Sequence, residues 1–564
     1  MGAGRREAAV VVASTMLVGS LGGALAVPPA AAVTTDQSYW VPVDKRLTID
    51  GHGYGHGHGM SQHGAQGAAL QGLTYKEIAK FYYPGTAWRQ VRGKVRVLIT
   101  ADTTDDVVVS PASGLAVRDL GDGSTHALPT YSDITRWRLV VRSGRTVLQR
   151  YNDGWRLLRR KWNRNFSGDV EFFADAPMTL WTPSGSKRYR GTLRAASPSR
   201  GSSARDTVNV VSMDQYVMGV VPYEMPASWH PEAVKAQAVA ARTYATWSRN
   251  QRRAGHYQIC DTTSCQVYGG VSGEDSRSNA AVRATARQIL SYGGSAAFTQ
   301  FSASSGGWTS AGSVPYLPAQ EDPYDAWQGN TVHDWSVDVD AAVLERKYPS
   351  IGTLERIRVT NREGNGEWRG RATTIVLDGS KADVTISGDT LRWTYGLRST
   401  WFAIRPTPII RRWQAIGGAS SVVGAVQGAE YAVKTGSAQR FERGRIFRSS
   451  KTPARELYGR VLRKYRSIGG PKSKLGFPVS KVWHRGEDRL ARFQGGSIYW
   501  DRPATPVVVT GAIDRRWIAE GGFRSGLGWA TTSNYAVRVG ERVDYVNGAI
   551  IWNKRRNTTR VIRY

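Results

Sequence analysis

The sequence predicts an α+β protein, a β-rich body with a few helices followed by a three-unit repeat domain of short helix plus β-hairpin. Three observations carry this reading. Short β-branched runs such as Val95–Thr100 and Arg138–Val141, separated by Gly, Asp and Ser turns, fill residues 90–200, and strand signals return at 355–405. One long helical stretch, Glu232–Ser248, is Ala-rich, opens behind Pro231 and repeats its apolar positions at Val234, Ala238, Ala241 and Ala245. The doublets Gly417-Gly418, Gly469-Gly470 and Gly521-Gly522 recur at a 52-residue step, with Trp413, Tyr465 and Trp517 ahead of them and Phe441, Phe493 and Tyr545 behind.

Taken in chain order, residues 1–32 read as a secretory signal peptide. Arg5 and Arg6 supply the positive start, Ala8–Val18 the apolar run, and Ala30-Ala31-Ala32 the small-residue cleavage site. The expected mature chain starts near Val33 and keeps no membrane anchor. Residues 33–46 read as a linker, and 47–90 as a Gly/His-rich segment ending in a short helix and turn. Residues 91–405 form the body, within which 207–212 is a strand and Asp214–Val221 a short helix. Residues 406–564 form the repeats, each expected to start with a helix that stops at its Gly pair, where positive φ is cheap.

The 564 residues are too many for one core. The charge is lopsided, 76 Lys+Arg against 45 Asp+Glu, giving +31, and calls for a polyanionic partner. Export excludes nucleic acid and leaves the anionic polymers of a bacterial wall. The expected location is secreted and wall-associated.

The chemistry concentrates at Glu224. It follows the apolar run Val217–Val221 and is flanked by Tyr223, Met225 and Pro226. A carboxyl in such surroundings loses hydration, which raises its pKa toward the range a general acid needs. The alternative is a Glu that caps the next helix or pairs with an Arg. His256, Cys260 and Cys265 lie within ten positions and suit a structural zinc site, with a Cys260–Cys265 disulfide as the other reading.

The stretch Tyr216-Val217-Met218-Gly219-Val220-Val221-Pro222-Tyr223-Glu224-Met225-Pro226 resembles the signature of the stage II sporulation protein D (SpoIID/LytB) family. Phe301–Thr309, with Gly306-Gly307, and Leu391-Arg392-Trp393 resemble further motifs of that family in order. The resemblance covers roughly residues 90–405. It implies a wall-acting protein and, on the matching Glu224, the acid of a peptidoglycan lytic transglycosylase. It also implies substrate contacts for Gln266, Tyr268 and Ser304, zinc on His256, Cys260 and Cys265, and a preference for strands free of peptides. No cofactor is needed for the chemistry. The family also contains amidase enhancers, so the rival expectation is a non-catalytic enhancer of a wall amidase, or a wall-bound scaffold.

The family usually ends its domain with a Gly-His-Gly-x-Gly-Met-Ser-Gln motif. The matching Gly55-His56-Gly57-His58-Gly59-Met60-Ser61-Gln62 stands at the N-terminus here. A circular permutation accounts for this, and predicts that 47–90 packs against the region ending near 405. His56 and Gln62 are expected to line the groove. In the repeats, Leu475-Gly476-Phe477-Pro478 resembles the LGFP repeat of exported wall proteins, and implies wall tethering.

Overall fold

A computed structural model describes residues 32–501 and 503–564. The expected signal peptide lies outside the described residues, apart from Ala32. Helices and strands are mixed throughout, as an α+β chain requires.

The centre is a seven-stranded sheet. Its order is Ile259–Cys260, Lys94–Leu98, Asp206–Ser212, Thr192–Ala196, Val170–Phe173, Ala116–Asp119 and Thr125–Ala127. The pairs are antiparallel except the first, where Ile259 runs parallel to Val97. A six-stranded sheet built from residues 106–189 shares its core through Val107, Trp137, Leu139 and Leu180. Alternation explains the packing: along Lys94–Leu98, Val95 and Val97 are fully buried while their neighbours are not.

Three helices cover one part of this core. The helices α1 (Gln62–Leu70) and α2 (Tyr75–Tyr82) come from the Gly/His-rich segment and pack on the long helix Pro231–Gln251. Two polar ties fix the arrangement. Glu232 accepts from the Tyr75 N–H at 2.7 Å, and Gln66 accepts from the His230 N–H at 2.8 Å. Thr74 and Glu77 close a capping box at the start of α2.

The N-terminal segment is woven into the far end of the body. Strand Arg46–His52 sits between Asp334–Asp340 and Phe402–Ile404, with Ile49 opposite Ile404 and Gly51 opposite Phe402. Residues 33–46, expected as a linker, open instead with strand Val33–Trp40, which pairs along Leu354–Arg362. The polar, alternating Thr34-Thr35-Asp36-Gln37-Ser38 lacks the apolar face that announces a strand. It is nonetheless an edge strand, whose outer face meets solvent.

Residues 408–564 hold three four-stranded sheets, 431–458, 483–510 and 535–563. Helices Pro408–Ala415, Gly459–Ser467 and Gly511–Ala519 precede them, and Gly417, Gly469 and Gly521 each take positive φ directly after. The expected hairpin is therefore the inner pair of a four-stranded meander. The aromatic columns stack: Tyr465 on Phe493 at 4.7 Å and Trp517 on Tyr545 at 6.2 Å between ring centres.

Candidate active site

The central strand Asp206–Ser212 ends at Ser212, whose hydroxyl accepts from the Gln215 N–H and caps α3 (Met213–Met218). One further turn, α4 (Val221–Glu224), follows. Met225 is extended, because a residue before proline is pushed out of the helical region. Val220, Val221 and Met225 are buried and anchor the turn, while Glu224 is half-buried at its end. The carboxyl lines a groove of about 580 Å³. Burial pushes its pKa up to about 7, against hydrogen bonds from the Val267 N–H and the Gln62 side chain.

The groove has walls from distant parts of the chain. The central region supplies Tyr223, Glu224 and the loop Thr263–Val267. The N-terminal segment supplies Tyr54, His56 and Gln62, and residues 300–303 complete the floor. Alternating glycines let the N-terminal loop lie against that floor. At Gly59, with φ +68°, a Cβ would come within 2.1 Å of the Gln300 carbonyl. Gln62, the first residue of α1, donates to Gln237 at 3.5 Å besides bonding Glu224. Burial and the nearby His58, Arg371 and Arg392 drive the His56 pKa down to about 3, so its ring is neutral.

Three residues expected to contact substrate line this groove: His56, Gln62 and Gln266. Gln266 is held by the Tyr216 hydroxyl, which donates to it at 3.1 Å, and donates itself to the Ala241 carbonyl at 3.3 Å. Tyr268 and Ser304 are not at the surface of the groove. Tyr268 is buried, and its hydroxyl donates to Asn209 at 2.8 Å. Ser304 is fully buried and donates to Asp325 at 2.7 Å. Both support the groove from behind. The groove also takes in Tyr54, Tyr223 and Arg392, to which the sequence reading gave no role. The first two are aromatics beside the motif residues, each 47% exposed.

The expected zinc set does not fit a metal in this arrangement. Cys260 and Cys265 form a disulfide, the other of the two sequence readings. His256 turns to Asp206, with Nε2 2.6 Å from its carboxylate. Among the described residues no group of three or more His, Cys, Asp or Glu could hold a metal ion. The disulfide staples the loop that carries Gln266 and Val267 to the groove.

A larger hollow of about 790 Å³ lies in the repeats, lined by Trp483, Phe523 and Trp529 among others. The one carboxylate among its lining residues, Glu456, is paired with Arg412 at 2.7 Å, so it offers no free acid. The acid with the raised pKa, Glu224, lies in the smaller groove.

Residues 202–292 match the family model described as stage II sporulation protein, SpoIID. The chain carries a SpoIID domain. The match takes in Glu224 and Gln266 and leaves out Tyr54, His56, Gln62 and Arg392, so the SpoIID model covers one wall of the groove. Residues 424–473 and 475–525 match the LGFP repeat. Over 138 residues the chain is 42% identical to a Bacillus subtilis protein named amidase enhancer, covering 23% of this chain and 19% of that protein. The stage II sporulation protein D of Bacillus amyloliquefaciens is 34% identical over 147 residues, and that of Bacillus subtilis 34% over 146. Each of the latter two matches covers 22% of this chain and 42% of the relative. The chain thus spans less than half the length of these curated relatives.

Proposed function

We propose that the protein is an exported, wall-associated lytic transglycosylase that cleaves the β-1,4 bond between N-acetylmuramic acid and N-acetylglucosamine. The observation that carries this reading is that Glu224 is the one carboxyl among the described residues lining the groove, with its pKa lifted to about 7. Hydrolytic glycosidases generally need two carboxyl groups, one of them to activate water or attack the sugar. A transglycosylase needs one. Glu224, protonated, gives its proton to the leaving glycosidic oxygen. As carboxylate, it then takes the proton of the muramic acid 6-hydroxyl, whose oxygen bonds to the anomeric carbon of the same sugar. The products are a 1,6-anhydro end and a free 4-hydroxyl, and Glu224 returns to its acid form. Because the nucleophile belongs to the same ring, its effective concentration is high and no water is held.

Gln62 and the Val267 N–H favour the carboxylate as it forms, and so assist the second half of the cycle. Tyr54 and Tyr223 offer exposed aromatic faces for sugar rings. The LGFP repeats and the positive charge of the chain support retention on the anionic wall. Among the described residues no helix is long and apolar enough to cross a membrane.

The relative named amidase enhancer favours a second reading, in which the groove binds glycan without cutting it and assists a wall amidase. One experiment separates the two. Peptide-free glycan strands are digested with the wild-type chain and with Glu224→Gln, and the products are read by mass spectrometry. The transglycosylase yields anhydro ends, and the variant is slower by about 10²–10⁴. Reducing ends would reject the intramolecular step. Binding without any cleavage would leave the enhancer reading.

A further inference from the structure

Residues 136–164 carry ten Lys and Arg against one acid, Asp153. The segment lies outside the SpoIID and LGFP matches, and none of its residues lines the groove. It forms strands Arg136–Arg142, Arg145–Tyr151 and Trp155–Leu157 at one edge of the six-stranded sheet, then a loop that reaches Arg164. One face of these strands, with Trp137, Leu139 and Leu148, belongs to the core. By alternation the other face carries Arg136, Arg138 and Arg142, with Arg145 and Tyr151 beside them and Trp155 at the edge.

The arginines of this face are of two kinds. Arg138 serves the fold: it donates to Gln149 at 3.0 Å and to Asp106 at 3.2 Å, and lies 4.2 Å from the ring centre of Trp155. Arg142 and Arg145 do not. They close the Ser143-Gly144 hairpin turn, where both central residues take positive φ, so their side chains leave the sheet directly opposite each other. Arg145 donates to the Arg164 carbonyl at 3.4 Å, which brings a third arginine to the tip. All three are exposed, and among the described residues no acid pairs with any of them. Like charges directly opposite in a sheet repel, so this tip costs stability until an anion bridges it. At the other end of the same face, Arg136 stands opposite Tyr151, again with no acid partner among the described residues. Tyr151 lies six residues along the strand from Arg145, about 20 Å away. Cations at both ends of such a track match a chain with repeated charges rather than one small ion. Tyr151 and Trp155, 5.1 Å apart between ring centres, add part-exposed apolar surface for the units between those charges.

We propose that this outer sheet face is a docking site for a phosphodiester-linked polymer of the wall, distinct from both the groove and the repeats. It rests on the reading of the protein as wall-associated and is independent of what Glu224 does. A phosphodiester shares one charge over two non-bridging oxygens, so it accepts from two neighbouring guanidiniums at once, as the Arg142 and Arg145 pair presents them. Its repeat along a polymer supplies the further charges that Arg164 and Arg136 would meet.

The test uses the full chain and isolated bacterial walls, before and after hydrofluoric acid, which strips phosphodiester-linked polymers and leaves the glycan and its carboxylates. The wild-type chain binds untreated walls about tenfold tighter than stripped ones, the worth of a few exposed charge-assisted contacts. The triple variant Arg142→Gln, Arg145→Gln, Arg164→Gln changes only exposed side chains, and binds both walls at the weaker level. Inorganic polyphosphate, added as a soluble competitor, brings wild type on untreated walls down to the level of the variant. Equal binding of wild type to the two walls overturns the proposal, as does a difference that survives the triple substitution. Binding that falls when wall carboxylates are coupled to methylamine, and not when phosphate is stripped, assigns the face to a carboxylated partner and overturns it too. Cleavage of soluble peptide-free strands is read separately. The triple variant cuts them as wild type does. Loss of cleavage in both proteins, with the difference between walls intact, would sink the transglycosylase and keep this inference.

Discussion

Two acids flank the residue 300–306 segment, Glu224 half-buried and Asp325 fully buried, and their neighbours shift them in opposite directions. Glu224 meets two hydrogen-bond donors, Val267 and Gln62, and its pKa rises to about 7. Asp325 is fully buried, yet its pKa falls. Burial alone would raise it, but His333 at 2.9 Å, Ser61 at 2.5 Å and Ser304 at 2.7 Å, all bonded to the carboxylate, outweigh that effect. The Ser305 and Gly306 N–H groups and the Asn330 amide bond it as well. Depth alone does not decide whether an acid keeps its proton; the donors that replace water and the charges beside it do. One acid is left short of donors and suits proton transfer. The other is saturated and holds the floor loop in place.

The comparison breaks hardest at Asp325. Asp325→Ala leaves His333, Asn330, two serines and two amides without their acceptor. Urea unfolding should show a loss of about 3–5 kcal/mol, with activity falling because the floor loosens. A stability within experimental error of wild type would refute the assigned role.

The pH dependence of the two acids has opposite sign. Glu224 holds its proton more tightly in the folded state, so its contribution favours the fold below its ordinary value of 4.5 and is lost as pH rises through about 7. Asp325, with its pKa lowered, contributes above the ordinary carboxylate range and loses that contribution as pH falls through its folded value. Asp322, raised to about 7 by burial and the charge of Asp325, adds to the Glu224 trend. Unfolding measured at pH 5 and pH 8 should therefore lose less stability in Glu224→Gln than in wild type, by on the order of 3 kcal/mol. Wild-type kcat/KM should fall above about pH 7, as the acid form of Glu224 disappears. A rate that keeps rising through pH 9 would remove Glu224 as the acid.

A smaller effect is expected at the staple. Reducing Cys260–Cys265 releases the loop bearing the Val267 N–H, at about 2 kcal/mol, and should lower activity without unfolding the sheet. Thiol counting and activity, followed together during reduction, check this. The smallest change is Gln62→Leu, which removes one donor from Glu224. It should cost about tenfold in kcat/KM and move the alkaline limb to higher pH, since the lost bond had been lowering the acid's pKa. A limb that moves down would contradict the hydrogen bond.

The partial burial of Glu224 was legible because an apolar run, a Pro and the acid are adjacent in sequence, while its expected role as an acid came from the family motif rather than from local chemistry. The strand before it and the long helix after it were legible from local pattern. Gln62 and His56 were found through a motif rather than through spacing, because their partners lie far away along the chain. Tyr268 and Ser304 stand behind the groove rather than in it because a motif marks a neighbourhood, which includes residues that support a surface as well as those that form it. Arg392 stood in a recognised motif, but which cavity a helix faces is a tertiary fact. Two thiols five positions apart suit a metal or a disulfide, and the structure joins them to each other while His256 turns to Asp206. Strand Val33–Trp40 was missed because half of it faces water and its polar side chains read as linker.

The weave of strand Arg46–His52 between Asp334–Asp340 and Phe402–Ile404 bears on when the protein becomes competent. Ile49 is among the first folded residues to leave the ribosome, and its partner Ile404 among the last of the body. Until that partner exists, the segment carrying His56 and Gln62 has no strand to seat it on that side, and the acid has only one wall. A nascent or truncated chain can hold the complete SpoIID stretch and still lack a closed groove. The order of synthesis thus leaves the groove open on that side until residues 402–404 have been made.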